Sequence, residues 1–313
     1  MSTFDINSTG ESVGKVFADK IKGKTVIVTG VSPNGFGADA ARVLALYGAK
    51  VVLAGRTLSK IQATAADIKK ESPNADLREI VLDLSSLKSV RQAAEQVLKY
   101  SGPVDVVITN AGVMGTPYQK TVDGIELQLA SNHVGHFLFV NLIIPKLLES
   151  SAPRVVLGSS VGHLWGPVRF DDYGFEDGKT YDKWLAYGQS KTAVILYGVE
   201  LAERYRGKID VFSVHPGGAV TNLGGSMTNE DYEKFADFYN PDGTPKGDWA
   251  RSIGQGTATY FVAGFDPSIA NKSGSYLTDC KIANEQAAPH ATDKEAAKNL
   301  WALSEKLVGQ KFD

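Results

Sequence analysis

A doubly wound α/β domain built on a parallel sheet is predicted by three features of this 313-residue chain. Short, β-branched apolar runs alternate with longer helical segments, a glycine-rich turn follows the first run, and no linker or repeat divides the sequence. Parallel strands are covered on both faces, so they read as continuous apolar stretches rather than as alternating ones. One domain over 1–313 is therefore expected.

The elements follow in order. A helical lead-in over 11–20 ends at Lys22-Gly23-Lys24, and the run at 25–28 reads as the first buried strand. After the glycine turn come an alanine-rich helix over 38–48 and a strand over 50–54. Helix 58–71 is closed by Ser72-Pro73-Asn74, and a strand over 78–82, a helix over 86–99 and a strand over 104–109 continue the alternation. A long helix is expected over 122–148, then a strand over 154–158, a helix over 187–205, and strands over 209–214 and 275–278. Right-handed crossovers between such strands give a Rossmann-type arrangement with helices on both faces. Two segments break the rhythm, 162–183 and 222–249. Long insertions at strand ends usually carry function, and 222–249 is expected to form a substrate lid.

Composition narrows the function. The chain is 43% hydrophobic, and 33 Lys and Arg balance 35 Asp and Glu. No basic field exists to hold a phosphate backbone, so nucleic acid is not an expected partner. The single Cys280 excludes an internal disulfide and a cysteine-rich metal cluster. Residues 1–20 lack the pattern of a signal peptide, and the greasy stretch at 136–144 is interrupted by Asn141 and too short to cross a bilayer. A cytoplasmic protein without a membrane span is expected.

Chemistry concentrates at Tyr187-Gly188-Gln189-Ser190-Lys191. On a helix, residues four apart share a face, which brings the Lys191 ammonium beside the Tyr187 phenol. A fixed cation favours the phenolate, so the pair is expected to lower the tyrosine pKa and to exchange a proton at working pH. In the turn Thr29-Gly30-Val31-Ser32-Pro33-Asn34-Gly35-Phe36-Gly37, glycines let the backbone approach a pyrophosphate, and the following helix N-terminus offers free N–H groups. At the end of the second strand, where an NAD-binding chain places an acid, stand Ala54-Gly55-Arg56. The Arg56 fork suits a 2′-phosphate, which favours NADP(H) over NAD(H). His133 and His136 lie three apart without a third ligand in evidence, so no metal site is expected.

Taken in order, the glycine turn, Asp83-Leu84, Asn110-Ala111-Gly112, Asn132, Ser159-Ser160, Tyr187 with Lys191, and Pro216-Gly217 with Thr221 resemble the short-chain dehydrogenase/reductase family. Asn110-Ala111-Gly112-Val113-Met114, Asn132-His133-Val134-Gly135-His136-Phe137, Phe170-Asp171-Asp172 and Gly274 to Cys280 are similar to its retinol-dehydrogenase-like branch. The resemblance covers the chain from about Lys22 to the C-terminal helix. It implies a catalytic set of Asn132, Ser160, Tyr187 and Lys191: Tyr187 as acid/base, Lys191 holding the nicotinamide ribose, Ser160 bonding the substrate oxygen, and Asn132 interrupting its helix to hold a water.

By the same resemblance Gly30, Ser32, Asn34, Gly35, Phe36 and Gly37 would seat the phosphates, with Arg56 on the 2′-phosphate. Asp83 and Leu84 would meet the adenine, Asn110, Ala111 and Gly112 the ribose, and Pro216, Gly217, Ala219 and Thr221 the nicotinamide end. One departure stands out: four residues, Val31 to Asn34, separate Gly30 from Gly35, where the family usually has three.

The implied activity is reversible, NADP(H)-dependent reduction of a hydrophobic ketone or aldehyde. A non-catalytic NADP(H)-binding sensor or scaffold, and a narrow biosynthetic reductase, are the alternatives. Met114, Leu164, Trp165, Trp184, Leu223, Met227, Tyr232, Phe235 and Phe238 lie in or beside the irregular segments, and would line an apolar cleft or close a small secondary core. A homodimer through the 187–205 helix would fit the family.

Overall fold

The computed structural model describes residues 4–312. Eight strands form one sheet: β1 (Thr25–Thr29), β2 (Lys50–Gly55), β3 (Asp76–Val81), β4 (Val106–Thr109), β5 (Arg154–Gly158), β6 (Asp210–His215), β7 (Ser275–Thr278) and β8 (Lys281–Ile282). Their spatial order is β3-β2-β1-β4-β5-β6-β7-β8. Every pair is parallel except β7 with β8. The order reverses between β1 and β4, and a crevice at the carboxyl ends of the strands opens there.

Alternation along β1 builds both cores. Ile27 joins Val107, Val155 and Val211 beneath the helices Leu87–Leu98, Gly135–Leu147 and Lys183–Arg204. Val26 and Val28 face the opposite layer, with Val51, Val156 and Phe212, under Phe36–Leu46 and Ile253–Phe265. A strand whose successive residues enter different cores must be apolar throughout, which is the pattern the sequence carries.

The expected elements recur with shifted ends. The lead-in helix is broken at Phe17 into Gly10–Val16 and Ala18–Ile21. The long helix starts at Leu127 rather than 122, capped by the Glu126 carboxylate on Gln128 N and Leu129 N, and it passes through a π-helical turn at Ala130–Val134. The span Leu127–Leu147 is apolar and long enough to cross a bilayer, yet 89% of its most apolar window is buried inside the protein, as befits a core helix.

The helix Ile253–Phe265 has no counterpart in the expected set. It is buried on nearly every side from Gly256 to Phe265, so its sequence shows no amphipathic period. Its start is fixed by a Ser252–Gln255 capping box.

Helix Lys183–Arg204 packs against the chain's own helix Lys294–Val308. The Arg204 guanidinium lies 4.1 Å from the Trp301 ring centroid, and Tyr197 and Trp301 rings are 6.0 Å apart.

Candidate active site

A cleft of about 680 Å³ opens along the carboxyl ends of β1, β2, β4, β5 and β6. Its walls bring together Gly30, Ser32, Gly35, Phe36, Arg56, Asp83, Leu84, Asn110, Ala111, Gly112, Ser160, Tyr187, Lys191, Pro216, Gly217, Ala219 and Thr221. Asn34, Gly37 and Asn132 do not line it: Asn34 is exposed on the glycine turn, and Gly37 and Asn132 are buried.

The longer glycine turn is accommodated in a specific way. Gly30 has φ of +75°, and a Cβ there would fall 2.7 Å from Ala111 Cα. Asn34 takes the extra residue's strain in the left-handed region, at φ of +59°. Thr64 Oγ1 donates to the Val31 carbonyl (2.6 Å), and Asn222 Nδ2 donates to the Pro33 carbonyl (2.9 Å). Gly37 is a packing position: its Cβ would meet Asn110 Nδ2 and Gly30 O at 2.5 Å. The result is a backbone cradle open at Gly35, where the helix Phe36–Leu46 begins.

Arg56 is exposed and makes no hydrogen bond or ion pair among the described residues. Lys60 lines the same end of the cleft. Nearby Asp83 spends one carboxylate oxygen on Ser85, accepting from its N (3.0 Å) and Oγ (2.6 Å). Unpaired positive charge therefore marks this end. Asn110 is a brace rather than a free contact: Nδ2 donates to the carbonyls of Thr29 (2.9 Å) and Gly30 (3.2 Å), and Oδ1 accepts from Tyr260 (3.3 Å).

At the other end the first helical turn at Lys183 is capped by Asp182, and four residues later Tyr187 enters the cleft. Its ring lies against Gly162, where any Cβ would fall 2.6 Å from Tyr187 Cε1. The Ser160 side chain lies beside the phenol, and Ser160 Oγ accepts from Gly162 N at 3.1 Å. Lys191 Nζ lies 5.7 Å from the Tyr187 ring centroid and donates to the Gly158 carbonyl at 3.0 Å.

The expected lowering of the tyrosine pKa by Lys191 is not what the site produces. Burial pushes the Tyr187 phenol up to about 12, with the Ser160 hydroxyl opposing it, and burial pulls Lys191 down to about 8. Desolvation outweighs the charge pair, because both groups lie almost wholly inside the protein.

Asn132 sits in the π turn, so the helix is interrupted where expected. Its side chain is fully engaged: Oδ1 accepts from Val113 N (2.8 Å), and Nδ2 donates to Val113 O (2.9 Å) and Ser190 Oγ (2.8 Å). Its carbonyl faces His136 Nδ1 at 3.2 Å. Both histidines of the supposed metal pair have structural partners, His133 with Ser304 Oγ (2.7 Å) and His136 with Thr29 Oγ1 (2.9 Å).

The 222–249 segment covers the cleft and divides the expected apolar residues in two. Met114, Leu223, Met227 and Tyr232 line the cleft, joined by Tyr239 and Trp249, which the sequence reading missed. Trp165, Trp184 and Phe235 instead form a separate cluster, with Phe235 stacked on Trp165 at 5.3 Å and edge-on to Trp184 at 4.7 Å. Phe238 packs on Trp249 at 5.6 Å, and Leu164 is exposed.

Comparison with known proteins agrees with this geometry. The short chain dehydrogenase family model matches residues 24–175. Human retinol dehydrogenase 13 is 38% identical over 296 residues, covering 92% of this chain and 86% of its own length. A short-chain dehydrogenase/reductase of Penicillium roqueforti is 38% identical over 304 residues, covering 93% and 86%. A crystal structure of an uncharacterised Mycobacterium paratuberculosis protein superposes with a TM-score of 0.73 at 31% identity, covering 95% of this chain and 98% of that one. A short chain dehydrogenase of Escherichia coli solved with NADPH has a TM-score of 0.63 at 23% identity, covering 83% and 98%, a likeness of fold. The chain belongs to the short-chain dehydrogenase/reductase family, in its retinol-dehydrogenase-like branch. It is an oxidoreductase of that family.

Proposed function

We propose that this protein reduces a hydrophobic ketone or aldehyde with NADP(H), reversibly, and that Tyr187 is the general acid/base. The observation that carries the reading is the junction of Tyr187, Ser160 and Lys191 in one cleft with an unpaired Arg56 at its far end. The cradle at Gly30 and Gly35, too close to Ala111 for a side chain at Gly30, fits a pyrophosphate. Arg56 fits a 2′-phosphate. A cytoplasmic setting fits the single, free, buried Cys280.

When bound, NADPH supplies the hydride that reaches the carbonyl carbon. The residues of this chain manage the oxygen. Tyr187 stays protonated at neutral pH, and gives its proton as negative charge grows there. Such a transfer contributes ~10²- to 10⁴-fold in rate. Ser160 points a second donor at the same oxygen, a preorganised stabilisation that costs no rearrangement. Lys191, held by the Gly158 carbonyl, keeps a positive charge beside the phenol for the step that leaves it anionic. In the oxidative direction Tyr187, as the phenolate, takes the alcohol proton, and the direction follows the ratio of reduced to oxidised cofactor. The walls at Met114, Leu223, Met227 and Trp249 exclude water and suit an apolar substrate.

The test is NADPH oxidation against benzaldehyde, acetophenone, decanal, a steroid ketone and, because relatives are named retinol dehydrogenases, retinal. Turnover that collapses in Tyr187→Phe supports the reading. Turnover that persists in that variant ends the proton-donor assignment, and tight NADPH binding without turnover of any carbonyl favours a sensor.

A further inference from the structure

His163 is 1% exposed and lies three residues beyond Ser160, outside the cleft wall. Its backbone N donates to the Ser160 carbonyl at 3.1 Å, and its Nδ1 lies 2.6 Å from the same oxygen. On the other side of the ring, Nε2 accepts from Ala288 N at 3.1 Å. An amide N–H can only donate, so Nε2 carries no proton and the hydrogen resides on Nδ1, aimed at Ser160. The tautomer is thus fixed by geometry alone. The His163 carbonyl is bonded as well, by Thr192 Oγ1 (3.1 Å) and His290 Nε2 (2.9 Å), and the ring is edge-on to Tyr276 at 5.2 Å.

We propose that His163 is a positioning residue for Ser160, a neutral imidazole that clamps the serine's carbonyl from within and anchors it to the Ala288–His290 segment far along the chain. Both lone-pair positions of the Ser160 carbonyl are filled by residue 163, so the peptide after Ser160 cannot rotate. That peptide also fixes Gly162, whose N–H holds Ser160 Oγ. The hydroxyl is therefore set for Tyr187 by a bond two residues removed from the chemistry. Burial lowers the imidazole pKa, which keeps the ring in the neutral form this arrangement needs. The inference rests on the reading of Ser160 as a donor to the substrate oxygen, and the experiment separates the two.

The substitutions differ in which arm they keep. An asparagine amide nitrogen lies about where Nδ1 does and retains the donor to Ser160; a glutamine oxygen reaches toward Ala288 and retains that acceptor; leucine retains neither. With NADPH and 4-nitrobenzaldehyde, His163→Leu is expected to lose roughly 10- to 100-fold in kcat, as for a misplacement remote from the chemistry, with KM and the Kd for NADPH unmoved. His163→Asn should recover most of kcat, and His163→Gln should recover melting temperature but not kcat. Wild-type kcat in His163→Leu, or a loss that asparagine does not recover, overturns the role. Ser160→Ala with unchanged kcat overturns the active-site reading itself, whereas an inactive Ser160→Ala beside a fully active His163→Leu overturns the clamp alone. A crystal structure of His163→Leu with NADPH needs no turnover: Ser160 Oγ turned from Tyr187 supports the clamp, and an unmoved serine rejects it.

Discussion

Arg56 and Tyr187 show how differently two residues read from sequence behave once folded. Arg56 follows β2 at the surface with no hydrogen-bond or ion-pair partner among the described residues, so its guanidinium is free to meet an anion without first breaking a bond. Arg56→Ala should weaken NADPH by roughly 10- to 100-fold, the worth of a charge-assisted pair of hydrogen bonds, and leave NADH nearly unchanged; equal losses in a fluorescence titration would remove the 2′-phosphate from this position. Tyr187 and Lys191 were legible because helical spacing is local, and so was the glycine turn. Their protonation was not, because it depends on burial by Trp165, Gly162 and β5, which the spacing does not report. The same holds for Asn132 and Asn110, whose amides are consumed by Val113, Ser190, Thr29 and Gly30. His163 was invisible for a further reason: its partner Ala288 is 125 residues away.

Among the elements, the 222–249 segment owes its place to a few polar anchors rather than to a core. Asn222 ties its start to the glycine turn, and the short helix Asn229–Lys234 carries Asp231, buried at 5% exposure. Asp231 accepts from Lys183 Nζ (2.5 Å), Trp184 Nε1 (3.2 Å) and Thr228 N (2.8 Å). Burial alone would raise this carboxyl, but the Lys183 and Thr228 bonds outweigh it and hold it below the usual range. The segment is thus fastened to the helix that bears Tyr187. Asp231→Ala leaves the half-buried Lys183 cation and the buried Trp184 N–H without their partner, a cost of about 1–3 kcal/mol. Since Tyr232 and Tyr239 ride on this segment, KM for the carbonyl is expected to rise about tenfold or more, while the Kd for NADPH, set mainly by β1 and β2, changes little. Steady-state kinetics beside a cofactor titration checks this; a parallel loss of cofactor would show that the segment instead builds the phosphate seat. The broken rhythm of the sequence marks this segment as irregular, yet it could not divide the aromatics, because only the anchored geometry sets Tyr239 and Trp249 in the cleft wall and Trp165 and Phe235 in a separate cluster.

At the scale of the whole molecule, the sheet is covered on both faces and the closing helix Lys294–Val308 seals the side of the Tyr187 helix, so polar groups caught inside are cut off from water. Three histidines, His133, His136 and His163, share this fate, while His215 is half-buried and lines the cleft. Burial holds His136 and His215 down to about 4 and His133 down to about 3, with Lys191 adding repulsion at the first two, and it lowers His163 as well. Each has a folded value below the ~6.5 of an unfolded histidine, so the unfolded chain takes up protons first as pH falls. Their stabilising contribution is complete above pH ~6.5 and is lost progressively as pH drops toward the folded values near 4 and 3. With three such groups protonating only on unfolding near pH 5, the slope reaches on the order of 4 kcal/mol per pH unit. Melting temperature is therefore expected to fall steadily from pH 7 to pH 5, a range in which ordinary carboxylates have not yet titrated. His133→Asn, which removes one protonation site while keeping a polar side chain beside Ser304, should flatten that fall; a melting temperature independent of pH over this range would mean that the buried rings can charge in place.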